Sequence, residues 1–255
     1  MQQTSGPKAL TEYILKASRE KAEKSALKLI VQGILAGIYI SLGAIAYFKV
    51  AAATADPGLG AFLGAFVFPF GLIAVIQMHA ELFTSDCLVM TAIYARRTKL
   101  YKILRILMII LITNTIGTIF IAVITNASGI FNEQAMAMVI EKSIAKVNMP
   151  FGKLFVSAVL CNIVVSTGVC MAYSCKEEIA KIVVLWLMVI VFVLTGTEHV
   201  VANAYYLFTA YFAGADITLG GMIYNLSVSA IGNFIGGGII VAGANAILAY
   251  KDIRE

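Results

Sequence analysis

Apolar residues run in long blocks along this chain, at about residues 29 to 53, 60 to 95, 104 to 126, 153 to 175, 180 to 213 and 219 to 249. A helix needs about 20 apolar residues to cross the hydrocarbon core of a bilayer, so the pattern predicts six transmembrane helices. The second and fifth blocks are interrupted. One holds Gln77-Met78-His79-Ala80-Glu81-Leu82-Phe83-Thr84-Ser85-Asp86, the other Thr195-Gly196-Thr197-Glu198-His199-Val200-Val201-Ala202-Asn203, and together they contain both histidines of the chain. Ionisable side chains at such depth cost several kcal/mol unless paired or hydrated, which makes them functional candidates and makes the two segments the expected conduction path.

The blocks also repeat. Leu35, Ile38, Ser41 and Gly43 in the first are matched by Leu160, Ile163, Ser166 and Gly168 in the fourth. Glu81 with Asp86 is echoed by Glu198 with Asn203, and Asn114-Thr115-Ile116-Gly117 by Asn233-Phe234-Ile235-Gly236. The offsets are 125, 117 and 119 residues, so the order holds while loop lengths differ. Three helices per copy make the second copy enter the membrane inverted, with sites formed at the midplane between broken helices. The expected fold is all-α and integral to the membrane: an aquaporin-like inverted 3+3 repeat whose second and fifth helices are broken. Backbone groups freed at each break must be buried in protein or face a watery cavity, and the positive ends of half-helices there favour an anion.

Composition agrees. Hydrophobic residues make up 60% of the 255 and charged residues only 13%, outside the range of a soluble globular domain. Lys8, Lys16, Arg19, Lys21, Lys24 and Lys28 precede the first block, Arg96, Arg97, Lys99, Lys102 and Arg105 fill the second connection, and Lys176, Lys181, Lys251 and Arg254 lie on the same predicted face. By the positive-inside rule both termini are cytoplasmic, in a multi-pass protein of the inner (cytoplasmic) membrane. The net charge of +5 is thereby assigned to orientation and not to nucleic acid. Residues 1–28 carry no signal-peptide core; Glu12 to Lys28 reads as an amphipathic helix on the cytoplasmic surface, either a solvated lead-in or a gate. Residues 29–250 form one channel domain and 251–255 a cytoplasmic tail. Cys87, Cys161, Cys170 and Cys175 lack metal or disulfide spacing and read as core thiols.

The segments Glu81-Leu82-Phe83-Thr84-Ser85-Asp86, Glu198-His199-Val200-Val201-Ala202-Asn203 and Gly232-Asn233-Phe234-Ile235-Gly236-Gly237 resemble the signatures of the formate/nitrite transporter family, in its order and spacing, over about Lys28 to Tyr250. The resemblance implies a homopentamer whose protomers each carry a pore for a small monovalent weak-acid anion: formate, nitrite or hydrosulfide. The short tail resembles the hydrosulfide branch. Position by position, it makes His199 the central pore histidine, bonded to Thr84 of a mobile loop. Leu82 with Phe192 would narrow the cytoplasmic side, Phe68 and Leu72 the other side, Asn162 would lie near the centre, and Lys146 would be the periplasmic vestibule cation. Lys153 offers a second candidate for that cation, His79 maps to no family role, and Asp86 stands where the motif more often ends in a neutral residue.

Each residue also has a plainer reading: His199 as a core imidazole, the four apolar residues as packing, and the Gly232 to Gly238 run as close helix contact. Glu81, Ser85, Glu198 and Asn203 are expected to brace the broken helices, since carboxylates would repel an anion. Paired Asn-Pro-Ala motifs of a water channel and the His-Glu-x-x-His of a metalloprotease do not occur. No enzyme activity and no cofactor is expected. A proton-coupled secondary transporter of formate or nitrite is the alternative to a channel.

Overall fold

A computed structural model describes residues 12, 14–17, 20, 21 and 24–248. The predicted cytoplasmic tail 251–255 and part of the predicted N-terminal helix lie outside the described residues. Among the described residues the fold is entirely helical: α1 (Ala26–Ala53), α2 (Pro57–Val67), α3 (Phe70–Gln77), α4 (Phe83–Asp86), a 3-10 turn (Cys87–Met90), α5 (Thr91–Tyr94), α6 (Leu100–Ser128), α7 (Glu133–Val147), α8 (Phe151–Ser174), α9 (Glu178–Leu194), α10 (Val200–Phe212), α11 (Leu219–Phe234), a π-helical stretch (Ile235–Val241) and α12 (Ala242–Leu248).

Helix starts follow capping chemistry. Ser25 Oγ accepts from the Lys28 amide ahead of α1, Asp56 Oδ1 from Leu59 with Pro57 at the first helical position of α2, and Asn132 Oδ1 from Ala135 ahead of α7. Gly129, at φ 62, ends α6 in the left-handed conformation that glycine adopts without steric cost.

Five helical runs are long and apolar enough to cross a membrane, Ala26–Ala53, Pro57–Gln77, Leu100–Ser128, Phe151–Ser174 and Leu219–Leu248. The remaining predicted crossing is divided: α9 and α10 are each shorter, with the break at residues 195–199 between them. The other break falls at residues 78–82, between α3 and α4. Large apolar side chains cover the outside of the bundle, among them Met108, Ile112, Phe120, Leu187 and Ile223, as lipid exposure requires.

The sequence repeat is a packing repeat. α1 lies on α6, and α8 on α11 and the π-helical stretch after it, each closed by a glycine. A Cβ on Gly117 would sit 2.2 Å from the Ile34 carbonyl oxygen, and one on Gly236 would sit 2.2 Å from the Val159 carbonyl oxygen. Both contacts tolerate only glycine, and they are equivalent by the offsets already noted, 119 residues for the glycines and 125 for their partners. Gly232 and Gly237 likewise face Ala158 and Asn162 at distances that exclude a side chain, so the glycine run packs helices.

Candidate functional site

The two breaks meet at the centre. Each is pinned by one asparagine, and the two asparagines do the same work. Asn114 Oδ1 accepts from the Phe83 amide at 2.9 Å, while its Nδ2 donates to the carbonyls of Gly33 and Glu81, each at 2.8 Å. Asn233 Oδ1 accepts from Val200 at 2.9 Å, and its Nδ2 donates to Ala158 at 2.8 Å and Glu198 at 2.9 Å. Each amide thus satisfies an N–H of a helix first turn and a carbonyl of the break, groups that lipid could not satisfy. The chain reverses through a left-handed residue in both breaks, His79 at φ 51 in the first and Gly196 at φ 63 in the second, again 117 residues apart.

His199 caps α10. Its Nδ1 accepts from the Ala202 amide at 3.2 Å, and its Nε2 lies 2.9 Å from Thr84 Oγ1. With Nδ1 accepting, the proton of a neutral ring sits on Nε2, which donates to Thr84. Asn162 donates both amide hydrogens, to the Thr84 carbonyl at 3.1 Å and to the Asn233 carbonyl at 2.7 Å, so it ties α4 to α11, the helix whose Asn233 pins the second break. Ser85 Oγ donates to the Leu82 carbonyl at 3.0 Å, closing the first break from within. His199, Thr84 and Asn162 are all buried.

Apolar groups flank this centre. Phe192 lies against His199 with ring centroids 5.4 Å apart and against Phe68 edge-on at 6.0 Å. Phe192 thus touches Phe68 and lines the same cavity as Lys146. Leu82 is fully buried at the start of α4, and Leu72 packs in the core.

Beyond each flank lies a cavity with a lysine–carboxylate pair. One cavity, about 200 Å³, is lined by Lys146, Glu198, Thr197, Phe192 and Tyr206. In it Lys146 Nζ is 2.7 Å from Glu198 Oε1, and Glu198 Oε2 also accepts from Asn203 Nδ2 at 2.6 Å. Lys153 is exposed and does not line it. The other, about 380 Å³, is lined by Lys21, Lys24, Glu81, Gln77, His79 and Tyr173. There Lys21 Nζ is 2.6 Å from Glu81 Oε2 and also pairs with Asp86, while Lys24 pairs with the other oxygen of Glu81. Burial opposes the Lys21 ammonium, but Asp86 and Glu81 together outweigh it and hold its pKa above the ordinary value.

Lys21 precedes Lys146 by 125 residues, the spacing of the first and fourth blocks, so the two lysines occupy equivalent places in the repeat. In the sequence, Lys21 and Lys24 read as topological charges, and Asn114 and Asn233 carry no site role. The repeat itself carried the signal: Lys146 was a candidate, and its equivalent falls on Lys21. The expected braces Glu81 and Glu198 act through their carboxylates on lysines and through their carbonyls on asparagines. Among the described residues no group of His, Cys, Asp and Glu could hold a metal ion.

A profile described as Formate/nitrite transporter matches residues 8–247. An uncharacterised transporter YrhG of Bacillus subtilis is 33% identical over 98% of this chain and 95% of its own length. The formate channel FocA of Haemophilus influenzae is 30% identical over 92% and 91%. A solved pentameric formate channel with formate bound superposes with a TM-score of 0.80 at 30% identity, covering 90% of this chain and 99% of that one. A polytopic helical chain of this kind, with its relatives named as transporters and channels, is a membrane protein of anion transport, and it belongs to the formate/nitrite transporter family.

Proposed function

We propose that this chain is a channel for small monovalent weak-acid anions, formate, nitrite or hydrosulfide, with His199 and Thr84 at its narrow centre. The observation that carries the reading is the His199–Thr84 bond, set between two aromatic or aliphatic flanks and two lysine-bearing cavities. Residues 29–250 act as one channel domain. Five copies assemble as in the pentameric formate channel, in the cytoplasmic membrane with both termini inside.

The chemistry runs from outside to centre. Lys146 at one mouth and Lys21 with Lys24 at the other raise the local anion concentration, while Glu198, Glu81 and Asp86 keep those buried ammoniums paired. The apolar side chains of Phe68, Leu72, Leu82 and Phe192 about the centre strip water from the solute and exclude strongly hydrated ions. At the centre, Thr84 Oγ1 already accepts from His199, so its own O–H is the donor left for an anion. Asn162 serves by holding Thr84 and Asn233, its amide hydrogens being spent on their carbonyls.

The same geometry favours a neutral His199. A second proton would have to sit on Nδ1, which accepts the Ala202 amide and caps α10. Forming the imidazolium therefore breaks the cap, so a relay through His199, the basis of the proton-coupled alternative, carries that extra cost. The test is flux of formate, nitrite, hydrosulfide and chloride into liposomes across pH, with His199→Asn beside the unmutated protein. Asparagine keeps a cap for α10 but has no titrating ring. Weak-acid anions should pass ahead of chloride, with H199N lowering the rate and leaving the shape of its pH profile. Chloride passing equally well would overturn the selectivity, and a profile flattened by H199N would establish the relay.

A further inference from the structure

A further cavity sets four cations over an apolar floor. It holds about 290 Å³ and is walled by Lys21 and Lys24 of the N-terminal segment and by Lys102 and Arg105 of α6, with Leu29 and Ile106 beneath. No acidic residue lines it among the described residues. Lys21 and Lys24 are paired from the far side with Glu81 and Asp86, but among the described residues neither Lys102 nor Arg105 has an ion pair. Two positive charges are left facing one hollow, which calls for an anionic ligand.

The surroundings say which kind. From the cavity an exposed stripe runs down α6 at four-residue steps, through Leu104, Met108, Ile112, Ile116 and Phe120, each 42 to 54% exposed. Tyr101 stands exposed at the rim, where an aromatic with a polar tip suits a membrane interface. A cationic hollow above a continuous apolar stripe complements an amphiphile: phosphate above, acyl chains below. A free phosphate would use only the hollow. We propose that this cavity binds the headgroup phosphate of an anionic phospholipid, with its chains along Leu104, Met108 and Ile112. Because Lys21 and Lys24 form one wall of this cavity and also line the pore-side cavity, an occupied lipid site steadies the N-terminal segment against the first break.

The experiment uses the full-length protein in neutral detergent. Short-chain phosphatidylglycerol or phosphatidylcholine is titrated in, and binding is read by the melting midpoint and by lipid retained in native mass spectrometry. Phosphatidylglycerol should bind preferentially. The double variant K102Q/R105Q should weaken it roughly 30-fold, the loss of two cation–phosphate contacts at about 1 kcal/mol each. The control R96Q/K99Q removes equal charge outside the cavity and should leave binding intact. Equal retention of the two lipids by the unmutated protein would overturn the proposal without any variant, as would undiminished binding to K102Q/R105Q or an equal loss in R96Q/K99Q. Glycerol phosphate or inorganic phosphate raising the midpoint as strongly as the lipid would make it a site for a soluble phosphate, and the lipid assignment would fall.

Discussion

Replacing Asn233 with alanine removes three hydrogen bonds at one stroke, to the Val200 amide and to the carbonyls of Ala158 and Glu198. The Ala158 carbonyl lies inside α8 and keeps its intrahelical partner. The other two groups lie at the break, have no helix to fall back on, and surround a fully buried position. Each buried backbone group left unsatisfied costs about 1 to 3 kcal/mol, so two cost about 2 to 6 kcal/mol. A separate estimate from interhelical bonds within membranes, about 0.6 kcal/mol each, gives about 2 kcal/mol for three and agrees with the lower end. Asn233→Ala should therefore lower stability by at least about 2 kcal/mol, read from reversible unfolding in mixed micelles. Asn114→Ala should match it, because it undoes the equivalent bonds of the first break. Asn233→Asp should be no milder, since it keeps the acceptor for Val200 but turns a carboxylate oxygen toward two carbonyls. A loss below about 1 kcal/mol in both alanine variants would refute the idea that these amides hold the breaks.

Three further outcomes follow from the same geometry. His79 occupies a left-handed conformation that costs a non-glycine residue about 1 to 2 kcal/mol, so His79→Gly should be neutral or mildly stabilising, whereas Gly196→Ala should cost about that amount. An added Cβ at Gly196 meets nothing within 4 Å, so its penalty is one of backbone alone, and melting midpoints compare the two. Glu198→Leu strands the buried Lys146 and should destabilise by about 3 to 5 kcal/mol, while Lys146→Met with Glu198→Leu should recover most of the loss; an unfolding titration of the double-mutant cycle decides it. Since the Lys21 pKa is raised above 10.5, its pairing with Asp86 and Glu81 contributes fully below that pH and is lost only as pH climbs through the raised value. Hydrogen exchange of the N-terminal segment should then be unchanged, after correction for intrinsic rate, from neutral to about pH 9; release in that range would contradict the pairing.

What could be read from the sequence was whatever the repeat preserved. Asn114 and Asn233 recur because a side chain that both donates to and accepts from backbone is needed at each break, and Gly117 and Gly236 recur because each faces a carbonyl too closely for a Cβ. Those demands fix residue type, so they leave a mark in one sequence. The ion pairs left a weaker one. Lys21 and Glu81 are 60 residues apart, and among six basic residues ahead of the first apolar block nothing local separates the lysine that turns inward from those that orient the chain. The Phe192–Phe68 contact left no mark, because apolar residues in an apolar helix carry no sign of facing; the packing of α9 against α2 and α3 brings the two rings together. The left-handed bend was legible at Gly196 and hidden at His79, where an uncommon residue takes the conformation that glycine would announce.

Where the two halves part company, the difference is chemical. His199 stands where the first half has Leu82, Val201 where it has Thr84, Asn203 where it has Asp86 and Met149 where it has Lys24. A symmetric pair of breaks would bring two leucines, or two histidines, to the middle; one of each gives an apolar neck beside a hydrogen-bonding ring. The single threonine then completes that ring's bond across the repeat axis. The last two differences act together. Asn203 donates to Glu198 and needs no further charge, but Asp86 shares Lys21 with Glu81, and Lys24 adds a second cation on the other oxygen of Glu81. Asp86 and Lys24 are thus one substitution in physical terms, and replacing Asp86 with asparagine should make Lys24 dispensable to the stability of the first break.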